Sequence, residues 1–198
     1  MSADPASALV DLYRSADPSA VKRGRHWYRT ARRECRAIAQ DTGYSVAQVA
    51  AVMAITSPDA QLVTNIGWTR VACESDGAVT VGRYPGNMMP KIRAALGDRC
   101  RPGQYATGPK VSAFYRGIMG DRDALVVDRW AAFAAGYPRS AKLTTKARRE
   151  IERAYHEAAS RVGESLRDFQ AIIWIAIRES TLTLRRGQLV PVKLVDIT

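Results

Sequence analysis

The eleven residues VAQVAAVMAIT, at positions 46–56, are apolar on nearly every side of a 3.6-residue repeat, which leaves them one place: the inside of a helical core. Ser45, just before the run, is of the residue type that caps a helix by accepting a backbone N–H in its first turn. Helix signals continue on both sides. Asp4-Pro5 and Asp17-Pro18 each read as an N-cap followed by proline in the first turn. Over 25–40, Trp27, Ala31, Cys35 and Ile38 fall at helical spacing, with Gly43 as a stop. Ser57-Pro58-Asp59 ends the apolar run and opens a further helix to about Cys73. A short helix is expected over 89–96. Another starts at Lys110, with Val111, Phe114, Tyr115 and Ile118 on one face and Gly120 at its end. Thr144 opens a charged helix to about Val162, with Ile151, Ala154, Tyr155 and Ala158 facing inward, and Ser165 caps LRDFQAIIWIAIRES. The expected fold class is all-α: one domain over 1–180 in two lobes, with the connection in the glycine- and proline-bearing stretch 76–86, followed by a C-terminal tail over 181–198.

A chain of 198 residues buries roughly 70% of its unfolded surface, so it needs no disulfide or metal staple. Its three cysteines, Cys35, Cys73 and Cys100, are scattered and form no CxxC pair. That argues against a zinc or iron–sulfur site, suits a reducing cytosol, and leaves no cofactor or metal expected. The mostly apolar runs are too short to span a bilayer, and MSADPASALVDL lacks the basic start of a signal peptide. The expected location is the cytoplasm, a host's cytoplasm if a phage encodes the chain, with no membrane partner and a monomeric state. Thirty Lys+Arg against 19 Asp+Glu give a net charge of +11, most of it arginine, which binds phosphate bidentately. A polyanion, nucleic acid before membrane, is the expected partner.

The stretch 103–136 carries the chemistry. Thr107-Gly108-Pro109-Lys110 is a glycine turn running into a helix start, where free N–H groups favour a phosphate. Eighteen residues after Lys110, Asp128 opens a second helix behind the apolar entry Leu125-Val126-Val127. An aspartate there is most often a cap alone, and a lysine at a helix start is usually solvated.

Taken together, QYATGPKVSAF and VVDRWAAFAAG resemble the helix-hairpin-helix DNA glycosylase superfamily of the endonuclease III type. Its signature is Leu-Pro-Gly-Val-Gly-x-Lys-Thr-Ala followed, at the same eighteen-residue step, by the aspartate of Val-Asp-Thr-His. AVMAITSPDAQLVTN resembles the family's helix–Leu-Ser-x-Gln–helix segment, with Asn65 in the usual place, and FQAIIWIAIRES resembles its penultimate core helix. The likeness covers about 46–180 at low identity, and the segments SPDAQLVTN, GPKVSAFYR and VDRW are also similar to small helical proteins of actinobacteria and their phages. Ala106 departs from the pattern by replacing the first hairpin glycine, and Pro109 removes a backbone donor. Asp59 stands where the family often has a glutamine that fills the hole left by a flipped base, with Gln61 as a substitute, and Trp130 replaces the family's histidine. The four-cysteine cluster motif is absent.

The resemblance implies a two-lobed helix-hairpin-helix glycosylase-like fold without an iron–sulfur cluster, the hairpin lying at about 100–120. It implies duplex DNA as partner and a nucleotide flipped into a pocket. Asp128 would stabilise charge at C1′ or deprotonate a nucleophile, and Lys110 could attack C1′ as an AP lyase does. Trp130, Asp59, Gln61, Asn65 and Tyr115 would line the base pocket; Thr107, Gly108, Lys110 and Arg116 would meet the DNA backbone. Two alternatives use the same residues. One is a phage-type transferase that joins an amino acid or polyamine to activated 5-hydroxymethyluracil in DNA, giving hypermodified thymine; the other is a non-catalytic DNA-binding module.

Arg25, Arg29, Arg32 and Arg36 share one face of their helix, with Glu34 the single acid between 22 and 36, which favours a phosphate-tracking surface over a merely solvated one. His26 and His156 lack partners at metal spacing and read as surface residues. Trp68 and Trp174 lie on apolar stripes and read as core.

Overall fold

A computed structural model describes residues 4–185 of the chain. Among these residues every regular element is helical: α1 (Pro5–Arg14), α2 (Pro18–Thr42), α3 (Val46–Thr56), α4 (Leu62–Glu74), α5 (Pro85–Gly97), a 3-10 turn (Pro102–Tyr105), α6 (Pro109–Met119), α7 (Arg129–Ala134), α8 (Thr145–Val162) and α9 (Leu166–Arg185). The all-α expectation is met. No helix among the described residues is long and apolar enough to cross a membrane.

The capping residues act as their types dictate. Asp4 accepts from the Ala6 and Ser7 amides, Thr144 from Ala147, and Ser45 forms a reciprocal capping box with Gln48. α2 starts at Pro18, as the Asp17-Pro18 pair predicts, with Asp17 accepting from Ser19 N at 2.7 Å. Two other boundaries differ from the sequence expectation. α5 starts at Pro85, ahead of the expected 89. α9 continues to Arg185, so the start of the expected tail is helical; the rest of it, 186–198, lies outside the described residues.

The chain forms two compact units, one from the segments up to Trp27 and from Leu125 onward, the other Tyr28–Ala124. The lobe connection expected over 76–86 is therefore misplaced: that stretch joins α4 to α5 within the second unit. It turns there because Gly77 and Gly82 have φ of +74° and +85°, and Arg93 Nε donates to the Gly77 carbonyl at 3.0 Å. The chain passes between units inside α2, an uninterrupted helix with no glycine- or proline-rich break at Trp27.

In the Tyr28–Ala124 unit, α3 is the hub. Every residue from Gln48 to Thr56 is buried, and α4, α5, α6 and the 3-10 turn pack around it. Two of its polar residues are satisfied internally. Gln48 Nε2 donates to the Leu96 carbonyl at 2.5 Å, and Thr56 Oγ1 bonds the Val52 carbonyl at 2.9 Å and Asn65 Oδ1 at 2.6 Å.

The other unit packs α1, α7, α8 and α9 around Phe169, Tyr155, Ile151, Ile173 and Ile177, all fully buried. Within it, α2 crosses α9 at Gly24, where an added Cβ would stand 2.6 Å from Ile172 Cα and 2.7 Å from its backbone nitrogen. Backbone cannot rotate aside as a side chain would, so Gly24→Ala should cost about 3 kcal/mol in overpacking. That exceeds the roughly 1 kcal/mol alanine gains in a helix. A urea midpoint below wild type is the expected result, and an equal or higher midpoint would show that the crossing is looser than this.

The three thiols differ in environment. Cys35 and Cys73 are buried, and burial pushes each thiol up to about 12, while Cys100 is exposed. Iodoacetamide at neutral pH should therefore modify native protein once, at Cys100, and three times after denaturation, as read by intact mass.

Candidate functional site

Lys110 belongs to the Tyr28–Ala124 unit. Its turn works through Gly108, whose φ of +89° only glycine adopts readily, and α6 starts at the next residue. Lys110, second in the helix, is half-buried; Thr107 and Gly108 are exposed. Ala106, in place of the expected first hairpin glycine, sits at φ −77° and ψ 65° and is buried, so this corner needs no glycine. The hairpin region thus holds a four-residue 3-10 turn, an alanine corner and α6, in place of two helices joined by a glycine loop. Tyr115 is half-buried over Gly103, where a Cβ would strike its ring, and burial raises its phenol. Arg116 is exposed and pairs with Asp121 at 3.2 Å.

The residues expected to line a base pocket fare differently. Asn65 is buried with both ends of its amide engaged: Oδ1 accepts from Thr56, and Nδ2 donates to the Met53 carbonyl at 2.9 Å. It ties α4 to the end of α3 and turns inward. Asp59 is exposed in the left-handed region at φ 56°, tolerated by aspartate, and accepts from the Tyr84 hydroxyl at 2.6 Å. Gln61 is exposed at the start of α4 without a capping side-chain bond.

The arginines on one face of α2 differ in what they touch. Arg25 lies in the Asp128-bearing unit, bonded to Glu164 at 2.6 Å and to the Tyr13 hydroxyl. Arg32, in the other unit, is half-buried and donates to the Met119 carbonyl at 2.9 Å, closing the C-terminus of α6. Its Nε is buried without a partner among the described residues. Arg29 and Arg36 remain exposed and free of carboxylate partners among the described residues.

Asp128 is the N-cap of α7. Its Oδ1 accepts from both the Trp130 and Ala131 amides at 2.9 Å, while Oδ2 accepts no hydrogen bond among the described residues. The carboxylate is half-buried. Beneath α7 the fully buried Tyr155 donates its hydroxyl to the Ala131 carbonyl at 3.3 Å. Burial first, and the Asp128 charge second, raise that phenol well above its ordinary value, so it stays a neutral donor. Arg148 Nη1 donates to the Val127 carbonyl at 3.2 Å and fixes the entry to Asp128.

Trp130, the second residue of α7, is half-buried with the Arg139 guanidinium 4.1 Å from its ring centroid and that of Arg178 at 5.7 Å. Arg178 also lies 4.4 Å from the ring of Trp174, which is half-buried and not the core residue its apolar stripe suggests. Neither arginine was legible as a site residue. The one available signal was Arg178 standing four positions after Trp174 on the same helix. Among the described residues no three His, Cys, Asp or Glu side chains gather in a way that would hold a metal ion.

No curated protein and no solved structure matches the chain. A family of unknown function, DUF7178, matches residues 2–181, and the chain belongs to that family.

Proposed function

We propose that the protein is a DNA-acting enzyme of the helix-hairpin-helix glycosylase type, which removes a modified pyrimidine from a flipped nucleotide by hydrolysis at C1′. The observation that carries this reading is the division of labour in the Asp128 carboxylate. Oδ1 holds the start of α7, and Oδ2 is left without a hydrogen bond among the described residues, at the position the superfamily resemblance marks. In this reading the open oxygen takes a proton from water as the water oxygen bonds to C1′; the C1′–N bond breaks and the nucleobase departs with its electron pair. The same anion also stabilises positive charge that develops on the sugar before the new bond is complete. The net charge of +11 supports a polyanionic substrate. The Gly108 turn and Lys110, on their own unit, are assigned to the DNA backbone, and Lys110 is the residue to test for a Schiff base.

The test is incubation with duplexes holding uracil, thymine glycol, 5-hydroxymethyluracil or its pyrophosphorylated form, with and without glycine and polyamines. Release of a free base supports the proposal. A strand of the pyrophosphorylated duplex that loses pyrophosphate and carries the amine in its place identifies the hypermodification transferase instead, and salt-sensitive binding with no product identifies a binding module. Borohydride trapping is read separately: an adduct lost in Lys110→Ala assigns lyase chemistry to that residue, and its absence on every duplex removes it.

A further inference from the structure

Two arginines and three tryptophans form a ladder on the unit that carries Asp128. Arg139 and Arg178 both lie over Trp130, Arg178 also lies over Trp174, and Trp174 meets Trp27 edge-on at 6.1 Å. Arg139 is exposed, and Arg178 and the three indoles are half-buried. Four other arginines of this unit are paired with carboxylates: Arg23 with Glu179, Arg25 with Glu164, Arg161 with Glu157 and Arg167 with Asp168. Arg139 and Arg178 have no carboxylate partner among the described residues.

A guanidinium lying on an indole uses its π face on the ring and keeps its in-plane N–H donors for other partners. Stacking also restricts the long side chain beforehand, which lowers the entropy lost when an anion binds. Two uncompensated cations gathered on one indole repel each other, and an anion between or beside them removes that repulsion. The anion that matches paired planar forks is phosphate, taken bidentately. The neighbouring indole faces suit a nucleobase better than a bare ion. Trp130 stands two residues after Asp128, on the helix that Asp128 caps.

We propose that Arg139 and Arg178, held on Trp130 and Trp174, grip backbone phosphates of the DNA strand that reaches Asp128. This rests on nucleic acid as the partner, as in the function proposed above, but not on any reaction at the base.

The experiment measures binding of a short, fluorescently labelled, unmodified duplex by anisotropy across a salt series. The proteins are wild type, Arg139→Gln/Arg178→Gln, Arg139→Lys/Arg178→Lys and a control pair, Lys146→Gln/Arg149→Gln, on the exposed face of α8 among glutamates. Loss of two phosphate contacts should make the slope of log K against log salt shallower by about 1.8 in the glutamine pair. The lysine pair should keep the wild-type slope while binding more weakly, which separates charge from misfolding, and the control should match wild type. A glutamine pair with the wild-type slope, or a control pair that loses as much, overturns the proposal. Inorganic phosphate alone is titrated against tryptophan fluorescence. An arginine-dependent change without an arginine-dependent DNA slope assigns the ladder to free phosphate and overturns the DNA-strand assignment. Base release with an unchanged slope would sink this inference alone, whereas an arginine-dependent slope with no reaction on any duplex would sink the glycosylase reading alone.

Discussion

Replacing Phe169 by alanine is expected to cost about 3–5 kcal/mol, the largest stability loss from a single substitution in the Asp128-bearing unit. Its ring has no solvent exposure, stacks on Tyr13 at 5.7 Å and meets Tyr155 edge-on at 5.9 Å. Three helices thus share one aromatic contact, with Tyr13 on α1, Tyr155 on α8 and Phe169 on α9. Alanine removes the buried ring and leaves a cavity that the neighbouring rings, each held by a hydroxyl bond, cannot readily fill. Tyr13 donates to Glu164 at 2.8 Å and Tyr155 to the Ala131 carbonyl. Because Tyr155 supports α7, the loss should extend to the helix that Asp128 caps. A fall in Tm of roughly 10 °C follows for a chain of this size, read by calorimetry. A fall of less than about 2 °C would mean that this cluster is not the unit's centre.

Asp128→Asn should lower the rate of base release by about 10²–10⁴-fold, the usual contribution of a positioned acid or base. Asparagine is as good an N-cap as aspartate, so this variant should keep the Trp130 and Ala131 amide bonds and melt close to wild type. Asp128→Ala should lose the same activity and about 1 kcal/mol of stability besides. The contrast between the two substitutions separates the carboxylate's chemistry from its cap. If Asp128→Asn loses its fold while Asp128→Ala does not, the capping account of α7 is wrong; if neither loses activity, the chemistry lies elsewhere.

Much of this fold was legible because its signals are local. Ser45, Thr144 and Asp4 announce helix starts through chemistry complete within three residues, and the run over 46–56 had no polar face to present to water. The division into units was not legible, because the chain crosses between them inside a regular helix, where no turn residue marks the place. The candidate site was half legible. Spacing singled out Lys110 and Asp128, and each does stand at a helix start. Spacing also put four arginines on one face of α2, correctly as geometry. What each arginine touches depends on residues far along the chain: Glu164 for Arg25 and the Met119 carbonyl for Arg32. Asn65 shows the same limit, since its place in a motif says nothing of an amide turned toward Thr56 and Met53. Arg139 and Arg178 escaped notice because their shared indole lies 9 and 48 positions from them in the chain.

Base removal is tested most directly by the intact mass of each DNA strand after incubation with wild type and with Asp128→Asn. At least one modified-pyrimidine duplex should give a strand lighter by the departed base less one water in the wild-type reaction and unchanged with Asp128→Asn. Strands of unchanged mass on every duplex, or an equal loss with both proteins, would contradict it.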